Sequence, residues 1–210
     1  MRKKVIVKGP FLSRSGYGEH ARFVLRSLRT REEDFDVYLI NIRWGNTGWI
    51  WEDSEERSWI DDKIKGTVEY IEKCKRDQTP LQFDISLQVT IPQEFEKMAA
   101  INIGCTAGTE STKMSPHWVE KSLAMDKIIV VSDHVKYAYD NTEYDAQHPQ
   151  TGHIMKFRNT TPVEVVHYPV RQFEPCEKFK IDLKHDFNFL CSAQWSPRKN
   201  FPNTIKWWLE

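Results

Sequence analysis

The sequence predicts an α/β fold: a Rossmann-like parallel sheet with helices on both faces. Three observations carry that expectation. Val5-Ile6-Val7 is a wholly apolar run, the pattern of a parallel strand buried on both faces. Short apolar strands then alternate along the chain with segments whose apolar residues recur at helical spacing. Finally, Ile101 to Ser132 reads as strand, polar loop, short helix and strand, with Glu110 placed where the first strand gives out. Ligands of open α/β sheets sit in the crevice outside the carboxyl ends of the strands. Glu110 is therefore a candidate for chemistry, although loop glutamates are ordinarily just solvated.

The first strand leads into Gly9 to Gly18, a loop rich in glycine and serine, and Glu19 to Leu28 places Ala21, Val24, Leu25 and Leu28 on one helical face. Phe35 to Ile42 is the second strand. Arg43 to Trp59 is a long connection holding Trp44, Trp49, Trp51 and Trp59. Ile60 to Lys75 carries Ile60, Ile64, Val68 and Ile71 on one stripe and reads as an amphipathic helix. Phe83 to Val89 alternates apolar and polar residues as a strand, and Met98 to Ile103 is the next one. Ser115-Pro116-His117-Trp118 opens a short helix, and Asp126 to Ser132 returns to a strand. Asp133 is placed to cap a helix through Val135, Ala138 and Tyr139. Asn141 to Asn159 is polar and the least ordered in character, and Val163 to Val170 is one more strand. Arg171 to Lys184 is a charged linker, Phe187 to Cys191 a late strand, and a final helix starts near Phe201-Pro202.

Composition narrows the function classes. Lys plus Arg balances Asp plus Glu at 30 each, so no net positive field favours nucleic acid. The apolar runs fall far short of the ~20 residues of a membrane-spanning helix, leaving only peripheral membrane contact open. Cys74, Cys105, Cys176 and Cys191 lie far apart without a Cys-x-x-Cys pair, and the histidines show no metal-ligand spacing. The expectation is a cytoplasmic protein with buried thiols, no metal and no tightly held cofactor.

Gly16-x-Gly18-x-x-Ala21 matches a dinucleotide fingerprint in spacing. It comes too late after its strand, however, and the second strand ends in Asn41-Ile42-Arg43 rather than an acidic residue. Two readings of this loop stay open. Its glycines let a backbone approach a phosphate beneath a helix N-terminus, or they simply meet the loop's own conformational needs. The tryptophans are similarly open: indole faces suit sugar rings, and they equally anchor a loop to its domain. His117 and Trp118 read as capping and packing residues, and His167 as a strand-end residue.

Three segments, taken together, resemble the nucleotide-sugar-dependent glycosyltransferases of the GT-B fold, in particular their large retaining group. They are Ser15-Gly16-Tyr17-Gly18-Glu19-His20-Ala21 after the first strand; Thr109-Glu110-Ser111-Thr112 with Pro116-His117-Trp118-Val119 and Val130-Val131-Ser132; and Arg198-Lys199-Asn200 after the late strand. The resemblance implies that residues 1–172 form an acceptor-side domain, 173–185 a linker, and 186–210 the first strand and helix of a donor-binding domain. It implies transfer of a sugar from a nucleoside-diphosphate sugar, the co-substrate, to a glycan or glycolipid hydroxyl, without a metal. Gly16, Tyr17, Gly18, Arg198 and Lys199 would then bind the donor phosphates. Arg198 and Lys199 would stabilise the leaving diphosphate, while Glu110, Thr112, Trp44 and Trp49 would line the acceptor side. A donor domain of that family is much longer than residues 186–210. A second chain completing it, or a non-catalytic glycan- or protein-binding module, are the accompanying expectations.

Overall fold

The computed structural model describes residues 2–147, 152–174, 181–193 and 195–210. Two units divide the chain, residues 1–170 and 171–210.

The first unit is built on a six-stranded parallel sheet. Its strands are β1 (Lys3–Gly9), β2 (Phe35–Asn41), β3 (Ile85–Val89), β4 (Ile101–Thr106), β5 (Lys127–Val130) and, after an excursion, β8 (Val163–Val165). They lie in the order β2-β1-β3-β4-β5-β8, every pair parallel. Helices α1 (Gly16–Arg29), α2 (Glu55–Arg76), α3 (Pro116–Ser122) and α4 (Asp133–Asp140) connect them. Strand alternation splits the core in two. Val5, Val7, Val37, Leu39, Val89 and Cys105 meet Ala21 and Leu25 of α1 and Ile60 of α2, whereas Ile128 and Val130 meet Val119, Val135, Ala138 and Tyr139 of α3 and α4. The predicted α/β class, with helices on both faces, is the class observed.

Helix α2 also closes the edge of the sheet. The β2 amide of Leu39 donates to Thr67 Oγ1 at 2.7 Å, and that hydroxyl donates in turn to the Lys63 carbonyl. A buried backbone donor that no strand pairs is thereby satisfied from a helix.

Several expected boundaries move, each for a local reason. Helix α1 starts at Gly16 rather than Glu19, because the Ser15 hydroxyl accepts from Gly18 N at 3.0 Å and caps it. Helix α2 starts at Glu55 because Ser54 caps it in the same way, which puts Trp59 on the helix. The cap of α4 is Ser132, not Asp133. Strand β4 begins three residues later than its apolar run, since Asn102 Oδ1 accepts from Met98 N and Ala99 N and turns the chain. Within Asn141–Asn159, strands β6 (Glu143–Gln147) and β7 (Ile154–Arg158) form an antiparallel pair. It is pinned by the Tyr144 hydroxyl donating to the Met114 carbonyl at 2.6 Å and by Phe157 against the second core.

In residues 171–210, the described residues contain no strand: Phe187–Cys191 is irregular, a correction to the late strand expected there. The described residues of this unit hold a 3-10 turn, Pro197–Lys199, and α5 (Phe201–Leu209), joined by Asn200 in the left-handed conformation (φ 52°). Phe187, Phe189 and Trp208 form edge-to-face ring pairs in it. Cys176 lies outside the described residues. No helix among the described residues is long and apolar enough to cross a membrane.

Candidate functional site

The chain runs from β1 outward to β2 and then crosses back to β3, so the sheet has its topological switch between β1 and β3. Crevices outside the carboxyl ends of strands at such a switch are where open α/β sheets bind ligands. Here the loops after β1, β2 and β4 meet at that end of the sheet through Ser13, Thr47, Tyr17, Trp44 and Thr106.

The loop after β1 is held rigidly. Arg22, buried on α1, donates to the Phe11 and Ser13 carbonyls at 2.7 and 2.9 Å and pairs with Glu19 at 2.7 Å. A guanidinium with all its sides engaged is a low-entropy clamp on the backbone. The loop after β2 is stitched alongside, with Arg14 N donating to the Gly48 carbonyl and Ile50 N to the Leu12 carbonyl, both at 2.8 Å. Between the two loops the Ser13 hydroxyl meets Ser15 Oγ at 2.8 Å and Thr47 Oγ1 at 2.6 Å.

The first turn of α1 projects from this clamped loop, and its two glycines do different work. A Cβ on Gly18 would lie 2.1 Å from the Ser13 carbonyl oxygen, so only glycine lets the loop fold back on the helix. A Cβ on Gly16 would meet nothing within 4 Å. The amides of Gly16 and Tyr17 have no acceptor within the helix, being its first two positions, and they share its positive dipole end. Tyr17 itself is turned toward β4: its hydroxyl lies 3.0 Å from Thr106 Oγ1 and accepts from Ala107 N at 3.1 Å. Burial raises the Tyr17 pKa and keeps the phenol neutral. The Trp44 indole packs on the Tyr17 ring at 4.4 Å. At the end of β3, Thr90 donates to the Glu94 carboxylate.

The expected site residues therefore sort into three groups. Gly16, Tyr17, Gly18 and Trp44 come together at the crevice. Trp49 instead forms a backbone bridge with Ser13 and leaves its side chain half exposed, while Glu110 and Thr112 are exposed on the loop after β4. Arg198 and Lys199 belong to the 171–210 unit, in its 3-10 turn. Sequence reasoning missed Ser13, Arg22, Thr47 and Thr106. The Glu19–Arg22 pair at i,i+3 was a visible signal, whereas nothing local marks Thr47 or Thr106 as partners of residues 34 and 89 positions away. No group of three His, Cys, Asp or Glu side chains among the described residues could hold a metal ion.

Neither a protein family nor a curated protein matches the chain. Among solved structures, that of a pyridoxal kinase from Lactobacillus plantarum aligns with 73% of this chain and 71% of its own, at 11% identity and a TM-score of 0.31. These findings correct the expectation of a GT-B glycosyltransferase. No glycosyltransferase is matched, and the structure that aligns is a kinase, at a level of likeness that lends this chain no activity. Sugar transfer from a nucleotide donor and a role in glycan synthesis fall with that expectation. The physical reason is that the motifs behind it have local duties: Gly18 admits the Ser13 carbonyl, Pro116 starts α3, and Arg198-Lys199 makes a turn before α5.

Proposed function

We propose that residues 1–170 form a binding domain for a small phosphate-bearing molecule, held in the crevice at the carboxyl ends of β1 and β3. The observation that supports this most is the open side of Gly16 beneath two unpaired helix amides. That glycine meets no steric demand of the fold, yet it keeps the backbone bare where an anion would approach. The rigid loop below it supports the reading, since a preorganised amide pair loses little entropy on binding. Tyr17 and Trp44 supply an apolar wall beside the phosphate, and Ser13, Ser15 and Thr47 supply hydroxyls.

The test is a titration of the full chain with inorganic pyrophosphate, monitored by amide NMR. Saturable shifts of the Gly16 and Tyr17 amides are expected. Gly16→Pro then deletes one donor while keeping the helix start, because proline is favoured at the first helical position and Ser15 is already extended (φ −129°, ψ 167°). A lost hydrogen bond to a charged group predicts binding weaker by roughly 10- to 100-fold. Unchanged Gly16 and Tyr17 amides in the unmodified chain, or equal affinity in Gly16→Pro, would refute the assignment.

A further inference from the structure

A second cavity lies on the face of the sheet that α1 covers, and it is independent of any phosphate at Gly16. Parallel sheets are buried on both faces. The connections after β4 and β5, helices α3 and α4, pack into the core on the opposite face. Beyond α1, the near face of β3, β4 and β5 is left as the floor of a cavity of about 390 Å³. Leu87 and Ile129 form that floor, Phe23 and Val24 of α1 one wall, and the segment ending in Tyr168 the other. This is the size and apolar character of a small-molecule site.

Four polar side chains, His20, Ser27, His167 and Tyr168, interrupt the apolar lining, and of these His20 is the buried one. His20 is 8% exposed, its Nδ1 is screened from solvent, and that nitrogen has no hydrogen-bond partner. Its ring stands edge-on to Tyr168 at 4.9 Å. Burial lowers the His20 pKa to about 4, so the imidazole is neutral at pH 7. The nearby phenols of Tyr17 and Tyr168 are also held neutral by burial. Buried polar groups are nearly always paired, so a histidine in the wall of an apolar cavity whose ring makes no hydrogen bond among the described residues marks a missing partner.

We infer that this cavity binds a small, uncharged aromatic molecule carrying one hydroxyl, which pairs with the His20 imidazole. A phenolic hydroxyl both donates and accepts, so it satisfies either tautomer of a neutral histidine. Nε2, the ring nitrogen that is not screened, makes no hydrogen bond among the described residues and is the atom the hydroxyl meets. The ring of the occupant covers Leu87 and Ile129 and meets Tyr168.

The experiment titrates the full chain with p-cresol and, separately, with toluene, which has the same ring and methyl group but no hydroxyl. Binding is read from the His20 imidazole resonances and the methyl groups of Leu87 and Ile129. Saturable p-cresol binding at these residues, tighter than toluene by about tenfold, is expected for one added hydrogen bond. His20→Phe should keep toluene binding and lose the preference. Equal affinity for the two probes in the unmodified chain overturns the inference, as does a preference that survives in His20→Phe. So does the absence of saturable shifts at these residues, which would assign this strip of sheet to a covering segment of polypeptide.

Discussion

Two glycines separated by one residue should respond to the same substitution in opposite ways. At Gly18 an added Cβ would stand 2.1 Å from the Ser13 carbonyl oxygen, 2.9 Å from its carbon and 3.1 Å from the Pro10 carbonyl oxygen. All three are backbone atoms, and Arg22 holds the Ser13 carbonyl in place at 2.9 Å. Relief requires the loop to move. Overpacking of this kind costs about 1–3 kcal/mol, and releasing a hydrogen bond to the Arg22 guanidinium costs about 1.5–3 kcal/mol more. Alanine recovers up to about 1 kcal/mol through its better helix propensity. Gly18→Ala should thus destabilise the first unit by about 1.5–6 kcal/mol. Gly16→Ala, with nothing within 4 Å of its Cβ, should be neutral or stabilising by up to about 1 kcal/mol. In a protein of this length, those values correspond to a melting temperature lowered by roughly 3–24 °C in one case and raised by at most about 4 °C in the other. Urea and thermal unfolding monitored by far-UV circular dichroism measure both. Equal stability of the two variants would show that the loop yields freely and that the clamp described for Arg22 does not exist.

Acid should act through His20. Its folded pKa of about 4 lies below the ordinary 6.5, so between those values the unfolded chain binds a proton that the folded chain refuses. Stability attributable to this group is complete above pH 6.5 and is lost as the pH falls toward 4, by about 3 kcal/mol in all. His20→Phe should remove that slope from urea midpoints measured across this range; parallel slopes in the two proteins would contradict it. Thr67→Val keeps the shape of the side chain but leaves the Leu39 amide without its acceptor, at a cost of about 1–3 kcal/mol. Amide exchange at Leu39 should accelerate in Thr67→Val and stay slow in Thr67→Ser, and an unchanged rate in both would count against the helix–edge bond.

The architecture was legible because burial on both faces leaves a mark that needs no partner to read. Val5-Ile6-Val7 and the Ile128 to Val130 run are such marks. Helix starts were less legible, since Ser15 and Ser54 act through one hydroxyl that spacing of apolar residues does not weigh. The β6–β7 pair escaped notice because its outward residues are mostly polar, with Ile154 and Met155 exposed among them, and because its anchors, Tyr144 and Phe157, fasten to distant elements. At the crevice, glycine and aromatic residues could be named from the chain, but their partners could not. Thr106 reaches Tyr17 only because β4 lies two strands from β1. The family reading failed for a related reason: a strand, a glycine turn and a helix recur wherever a parallel sheet needs a tight return, so their order alone does not select a reaction.

The helix laid along β2 has a consequence for how copies of this molecule can meet. With the Leu39 amide already occupied by Thr67, a visiting strand finds that flank of the sheet shut. The far flank offers only the three residues of β8, and Glu164 in its middle is tied to Lys127 at 2.6 Å. Neither flank is a template for a growing ribbon, and self-association by continuation of the ladder is discouraged at both ends.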